Sequence, residues 1–233
     1  MGEMPRHRIV IAIDGPAGAG KSTIARSISA KLGFVHIDSG AMYRAVALWA
    51  LRAGVALDDM HRLEQLAREA SISFPAGGDQ VFLNGEDVTS AIRGPEVSAA
   101  ASKVSAVGAV RRALVEKQRE MGELSNVVME GRDIGSVVFP EARVKIYLDA
   151  KPITRAERRT RELLAKGQAA DAASTATAMQ ERDHRDRTRA EAPLVQAPDA
   201  VYVDSDGLSL EEVEAAILKI VRERTTNGKE YSQ

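Results

Sequence analysis

Cysteine is absent from the 233-residue chain, which excludes disulfides, thiolate metal centres and cysteine nucleophiles. Histidine is scarce: four are scattered along the sequence, a poor basis for a zinc site. No apolar run is long enough to span a membrane. The opening Met1-Gly2-Glu3-Met4-Pro5-Arg6-His7-Arg8 lacks the apolar core of a secretory signal. An excess of charge is missing too. Lys and Arg number 32 against 33 Asp and Glu, a net charge of −1, whereas surfaces for nucleic acid or anionic lipid are usually basic. Together these absences leave a cytoplasmic enzyme with no nucleic-acid or membrane partner as the expectation. The 44% hydrophobic and 28% charged content is that of an ordinary soluble protein, long enough for one large α/β domain or two small ones.

What is present is organised around Gly15-Pro16-Ala17-Gly18-Ala19-Gly20-Lys21-Ser22-Thr23. Gly15, Gly20, Lys21 and Ser22 satisfy the phosphate-binding pattern G-x-x-x-x-G-K-[ST]. Ile9–Ile13 before it reads as a buried strand. After it, Ile24, Ile28 and Leu32 recur at i, i+4 and i+8, as on an amphipathic helix. In such a strand–loop–helix unit the glycines let consecutive N–H groups turn toward one phosphate, and the helix N-terminus adds its dipole. Lys21 can reach the outer phosphates of a nucleotide, and the Ser22 hydroxyl can ligate Mg²⁺.

Four further apolar runs, Phe34–Ile37, Val127–Met129, Val144–Leu148 and Ala200–Val203, predict parallel strands with helices between them. The fold class is therefore α/β, a five-stranded parallel sheet covered on both faces. Four of the five runs end in an acid: Asp14, Asp38, Glu130 and Asp149. In an open parallel sheet the ligand crevice lies beyond those ends. Residues 71–92 break the alternation. Ser71–Phe74 and Gln80–Leu83 look like strands, Asn84-Gly85 is a two-residue hairpin turn and Glu86-Asp87-Val88 returns from it, so a small antiparallel insert is predicted. Residues 97–122 are helical in pattern. Residues 165–178, rich in Ala, Ser and Thr, read as mobile. The tails 1–7 and 226–233 read as flexible.

Three stretches carry candidate chemistry. Asp38-Ser39-Gly40-Ala41-Met42-Tyr43-Arg44 follows the second strand: Asp38 or Ser39 can cap a helix starting near Ala41, and Arg44 can fork onto a phosphate. Glu130-Gly131-Arg132-Asp133-Ile134-Gly135 crowds charge at the end of the third strand. The last stretch is rich in arginine. Thr154-Arg155-Ala156-Glu157 reads as a capping box, with Arg155, Arg158 and Arg159 on one helical face. Further on, Arg182, Asp186 and Arg189 share a face with Arg185 beside them, while Asp183 and Arg187 point elsewhere. Phosphoryl transfer needs such cations, because charge spreads over the equatorial oxygens of the transferring group. Ser102 and Arg111 fall on opposite sides of a straight helix, but Gly108 can break it and let both face one pocket.

Taken together, these motifs resemble the bacterial-type cytidylate kinases, nucleoside monophosphate kinases of the phosphate-loop class. The resemblance runs from about Ile9 to Val221. It is carried by Gly15–Thr23, Asp38–Arg44, Gly131–Gly135 with Val138-Phe139-Pro140, and Glu181–Arg189 ahead of Ala192-Pro193-Leu194. It implies a single kinase domain over 8–225, with the insert in its monophosphate-binding part and a short helical lid at about 152–190. The implied reaction passes the γ-phosphoryl group of ATP to CMP or dCMP, with Mg²⁺, in a monomer. Residues 15–23 would hold ATP. Ser39, Arg44 and Arg132 would hold the CMP phosphate, Tyr43 would also bind CMP, and Ser102, Arg111 and Asp133 would read cytosine. Arg182 and Asp186 would contact the ribose, with Arg189 near phosphate. Lys21, Arg132, Arg155, Arg158, Arg159 and Arg189 would serve the transfer itself, Ser22 the metal. Glu130 departs from the Asp that related enzymes often carry before Gly-Arg-Asp.

Two other readings make distinct demands. A guanine-nucleotide switch usually carries Asn-Lys-x-Asp, yet the three asparagines of this chain are isolated and none precedes lysine. A small-metabolite kinase, for shikimate for example, has no use for the insert or for a second arginine face.

Overall fold

All five apolar runs form strands. In the computed structural model, which describes residues 8–75, 80–165 and 167–226, these are β1 (Val10–Asp14), β2 (Val35–Asp38), β6 (Val127–Gly131), β7 (Val144–Asp149) and β8 (Val201–Asp204). They make one sheet in the order β2-β6-β1-β7-β8. Ile11, Ala12 and Ile13, Val127 to Met129, and Val144, Ile146 and Leu148 are fully buried, as expected of strands covered on both faces. The chain divides into two units, 8–10 with 29–129 and 11–28 with 130–226.

The first unit is mostly helical: α2 (Ser39–Arg52), α3 (Met60–Glu69), α4 (Pro95–Val104) and α5 (Gly108–Leu124). Helix α2 packs on α4, and α3 on α5, burying Met42, Val46, Leu63 and Leu114 completely. The predicted insert is present as β3 (Ile72–Ser73), β4 (Phe82–Leu83) and β5 (Glu86–Asp87), antiparallel, with Leu83 opposite Ile72 and Glu86. Asn84 and Gly85 both have positive φ, 51° and 84°, which suits the right-handed twist of a two-residue hairpin. The helical stretch 97–122 is two helices, broken just before Gly108, where a break was foreseen. Pro95 opens α4 at a position where its missing N–H costs nothing. Turns at Ala106 and Val107 end it, and Gly108 begins α5.

The second unit holds β1, β7 and β8, with Ile11 in register with Val144 and Ile146 with Val201. Its helices are the first two thirds of α1 (Lys21–Leu32), with α6 (Pro152–Ala165), α7 (Ala172–Thr188) and α8 (Leu210–Thr226). Two expectations change here. Helix α6 starts at Pro152, not at Thr154. The Thr154 hydroxyl, expected to cap it, donates instead to Asp206, 2.5 Å away. Half of 165–178, from Ala172 on, belongs to helix α7, which Asp171 caps by accepting from the Ser174 N–H at 2.8 Å. The tails 1–7 and 227–233 lie outside the described residues. Among the described residues no helix is long and apolar enough to cross a membrane.

Candidate active site

The phosphate loop of the second unit is built on three glycines with positive φ: Gly15 (149°), Gly18 (76°) and Gly20 (94°). A Cβ on Gly15 would lie 1.9 Å from the Leu148 carbonyl oxygen, so β7 abuts the loop where it leaves β1. Gly15→Ala would add backbone strain of about 1–3 kcal/mol to an overpacking cost of similar size. A large fall in the urea midpoint is the expected result, and an unchanged midpoint would refute this account of the turn. Gly18, at the tip, has Arg155 O and Met179 Cε each 2.8 Å from a notional Cβ. Helices α6 and α7 therefore close directly on the loop.

Lys21, first residue of α1, is buried, and its Nζ donates to the Pro16 carbonyl at 2.7 Å. Its pKa is pushed down to about 7, first by burial and then by the Arg132 cation, with Glu130 opposing. The next side chain, Ser22, is exposed and donates to Glu130 Oε2 at 2.8 Å. A hydroxyl beside a buried carboxylate is a pair of hard oxygens, the kind of donors Mg²⁺ takes when phosphates and water complete its shell. The described residues contain no group of three or more His, Cys, Asp or Glu that could hold a metal without such help.

Arg182 and Asp186 share a face of α7, Arg189 follows as the C-cap residue with extended backbone, and Arg132 meets them. Asp186 Oδ2 accepts from Arg132 Nε at 3.0 Å, with Arg182 Nε 3.9 Å away. Arg189 Nη1 lies 4.0 Å from Asp186 Oδ1, and its Nη2 reaches Asp133 Oδ1 at 3.4 Å. Burial acts to raise the Asp186 pKa, but Arg132 and Arg182 outweigh it and hold the carboxyl below its usual value. Arg185, expected beside this face, pairs with Glu181 instead, at 3.9 Å. Arg187 is exposed, as expected of a residue off this face.

The arginines of α6 separate. Arg155 is 5% exposed and ties the helices to the loop, donating to Asp183 Oδ2 (2.5 Å), Ala17 O (3.1 Å) and Ala150 O (3.0 Å). Asp183 does point away from the Asp186 face, but into the interior, where it is 7% exposed. Arg158 donates to the hydroxyl and carbonyl of Ser205 at 2.9 and 2.7 Å. Arg159 pairs with Glu162 on its own helix at 2.8 Å. The face predicted from i, i+3, i+4 spacing is thus three different environments.

In the first unit, Asp38 is the N-cap of α2. Its Oδ1 accepts the Ala41 N–H at 2.9 Å and its Oδ2 accepts Arg44 Nη2 at 2.5 Å. Burial works to raise its pKa, but Arg44 and the Ala41 N–H hold it below the usual carboxylate value. Ser39 follows, buried, as the first residue of α2. The Arg111 guanidinium stacks over the Tyr43 ring, 5.3 Å from its centroid. Arg111 Nη1 donates to Ser105 O at 3.4 Å, while Ser105 Oγ donates to Ser102 O at 3.1 Å. The break between α4 and α5 thus links the surroundings of Ser102 and Arg111.

Sequence reasoning gave Asp14 and Asp183 no role and named Glu130 without assigning it one. Asp14 and Glu130 did carry a signal, as acids closing strands; Asp183 carried none, since its partner lies 28 residues away.

The family model described as cytidylate kinase matches residues 11–223. A cytidylate kinase of Solibacter usitatus is 60% identical over 234 aligned residues, covering 100% of both chains. One from Pelotomaculum thermopropionicum is 51% identical, covering 94% of this chain and 96% of the relative. Among solved structures, an uncharacterized protein from Eubacterium ventriosum superposes with a TM-score of 0.51 at 11% identity, covering 94% of this chain and 99% of that one. That likeness concerns the fold alone.

Proposed function

Because the chain belongs to the cytidylate kinase family, it is a phosphotransferase, and we propose that the residues described above carry the γ-phosphoryl group of ATP to the phosphate of CMP or dCMP. The observation that carries this assignment is the cluster of Arg132, Arg182 and Arg189 around Asp186 and Asp133, in the same unit as the phosphate loop. An acceptor that brings its own anionic phosphate needs no side-chain nucleophile. It needs charge neutralisation and alignment.

The loop from Gly15 to Thr23 binds the donor phosphates through its N–H groups, with Lys21 on the outer ones. Ser22 would hold Mg²⁺, with Glu130 accepting from its hydroxyl or from a ligated water; the ion supplies positive charge to the phosphate oxygens. Arg155 serves by holding the loop through the Ala17 carbonyl, and Arg158 and Arg159 are the lid cations for the donor. Arg132 and Arg189 take the acceptor phosphate together with Ser39 and Arg44. Arg182 and Asp186 take the ribose, and Asp133, Ser102 and Arg111 the base, with Tyr43 supporting Arg111. In this reading residues 8–225 work as one kinase domain with a lid at 152–190 that keeps out water, a competing acceptor. The enzyme acts as a cytoplasmic monomer.

Coupled ADP release with CMP, dCMP, UMP, shikimate and no acceptor tests the assignment. CMP and dCMP should stimulate release strongly. Release independent of acceptor, or stimulated by shikimate alone, would overturn it.

The α7 face gives a second test. Arg182→Ala, Asp186→Ala and Arg189→Ala should each raise the CMP KM or lower kcat by about tenfold or more, since each removes a charged hydrogen-bond partner. Arg187→Ala should stay within about twofold of wild type, as an exposed substitution off that face. Equal effects at all four positions would mean that general positive charge, not this face, matters.

A further inference from the structure

Asp14 has no part in the scheme above, yet it is 5% exposed and fully engaged. It closes β1 directly before Gly15. Its Oδ1 accepts the Ile134 N–H at 2.8 Å and its Oδ2 the Gly135 N–H at 2.7 Å, contacts spanning 120 and 121 residues. Those two amides directly follow Arg132 and Asp133.

The same backbone is gripped from its other side. The Asp133 carbonyl accepts the N–H groups of Val137 and Val138, at 2.9 and 3.1 Å, in a π-helical turn at Ile134–Val138. At Gly135 a Cβ would meet Lys145 Cγ and Cδ at 3.2 Å and Asp14 Oδ2 at 3.4 Å. Lys145 is itself buried and anchored: its Nζ donates to both Asp199 oxygens, at 2.9 and 2.8 Å, and to the Pro140 carbonyl. The residues after Asp133 are therefore fixed by a carboxylate, a lysine stem and their own turn.

A carboxylate is a costly choice for this position. Burial pushes its pKa up to about 6, against the two N–H groups and Lys21, with Asp133 adding to the rise. A buried anion is tolerated where paired acceptors on one rigid group are needed, and charge-assisted bonds are the stronger kind. Ile134 and Gly135 present two adjacent donors, and a carboxylate matches both at once.

We propose that Asp14 is a positioning residue for acceptor recognition: by holding the Ile134 and Gly135 amides it sets the direction in which Arg132 and Asp133 meet CMP. The phosphate loop and the acceptor-reading loop are then referenced to one side chain at the end of β1. The inference rests on the assignment of Arg132 and Asp133 to the acceptor.

The test is Asp14→Asn, with steady-state constants measured for ATP, CMP and UMP. The amide can accept from one N–H only; its NH₂ would face the other donor. The CMP KM should rise about ten- to a hundredfold and the CMP/UMP ratio of kcat/KM should fall by a similar factor, while the ATP KM stays within about twofold. Gly135→Ala displaces the same amide without touching the charge. It should reproduce the pattern, and the double variant should be little worse than either single one. A purely structural brace predicts equal losses for both substrates, and that result, or unchanged CMP constants in a folded variant, overturns the proposal. So does failure of both variants to fold. Arg132→Ala and Asp133→Ala, measured in parallel, separate the two levels. If they leave CMP untouched, the acceptor assignment falls and the proposal with it. If they act and Asp14→Asn does not, Asp14 alone is dismissed.

Discussion

Lys21→Ala is expected to lower kcat about 100- to 1,000-fold, the usual cost of removing one preorganised charge contact from a transition state, some 2.7–4 kcal/mol. The same substitution should leave the fold at least as stable as wild type. Lys21 is buried with one hydrogen bond, to the Pro16 carbonyl at 2.7 Å, and its pKa is driven down to about 7 by burial and by Arg132. An ammonium group that the protein disfavours in this way is held there for a ligand, since a polyphosphate beside it restores the preference for the charged form. Removing it relieves the folded state while depriving the reaction, the trade expected where function opposes stability. Circular dichroism melts and single-turnover kinetics on the same preparation give both halves. Wild-type turnover in a folded variant would remove Lys21 from the chemistry. Loss of turnover with a large drop in melting temperature would move its role to the scaffold.

Asp133→Asn should lower the CMP/UMP ratio of kcat/KM by about ten- to a hundredfold, the worth of a hydrogen bond to a charged group. Cytosine presents an amino donor at position 4 where uracil presents a carbonyl. A carboxylate accepts from the first and repels the second, so it favours one base and rejects the other together. The amide is a weaker acceptor and brings a donor of its own. Asp133 is 6% exposed and lies 3.4 Å from the Arg189 guanidinium, so its carboxylate is set in direction before any base arrives. The magnesium dependence should stay as in wild type. A metal-ligand role makes the opposite forecast, with equal losses for CMP and UMP and a higher magnesium requirement. A magnesium titration with both acceptors separates the two.

The parallel strands and the insert were legible because their causes are local. Ile9–Ile13 and Val144–Leu148 are β-branched-rich apolar runs, and each became a strand to within about one residue. Asn84-Gly85 specifies its turn by backbone preference alone. The shared face of Arg182 and Asp186 was legible because i, i+4 is fixed by helix geometry; Arg189 continues it from the C-cap, just past the last helical residue. The same argument failed on α6. Spacing says which residues share a face, not what each long side chain finds there, and Arg155, Arg158 and Arg159 found Asp183, Ser205 and Glu162. Thr154 misled for a related reason. Pro152 sets its own φ and can open a helix alone, which left the Thr154 hydroxyl available to Asp206. Asp14 and Glu130 announced themselves only as acids at strand ends, because their partners are more than 100 residues away. Only the packed sheet reveals which of several strand-end acids meets which amide or hydroxyl.

The bond between Arg155 and Asp183 also bears on how sequences of this kind can drift. Both side chains are buried, and Asp183 Oδ1 has no second partner to fall back on. Losing Arg155 alone strands Asp183 as an uncompensated interior charge, at a cost of about 3–5 kcal/mol, whereas losing Asp183 leaves Arg155 the Asp149 carboxylate at 3.4 Å and the Ala17 and Ala150 carbonyls. The order of change is then constrained: the aspartate can go while the arginine stays, but not the reverse. Among descendants a variant that has lost Arg155 should also have lost Asp183, although 28 residues lie between them, or should carry another cation within reach of that carboxylate.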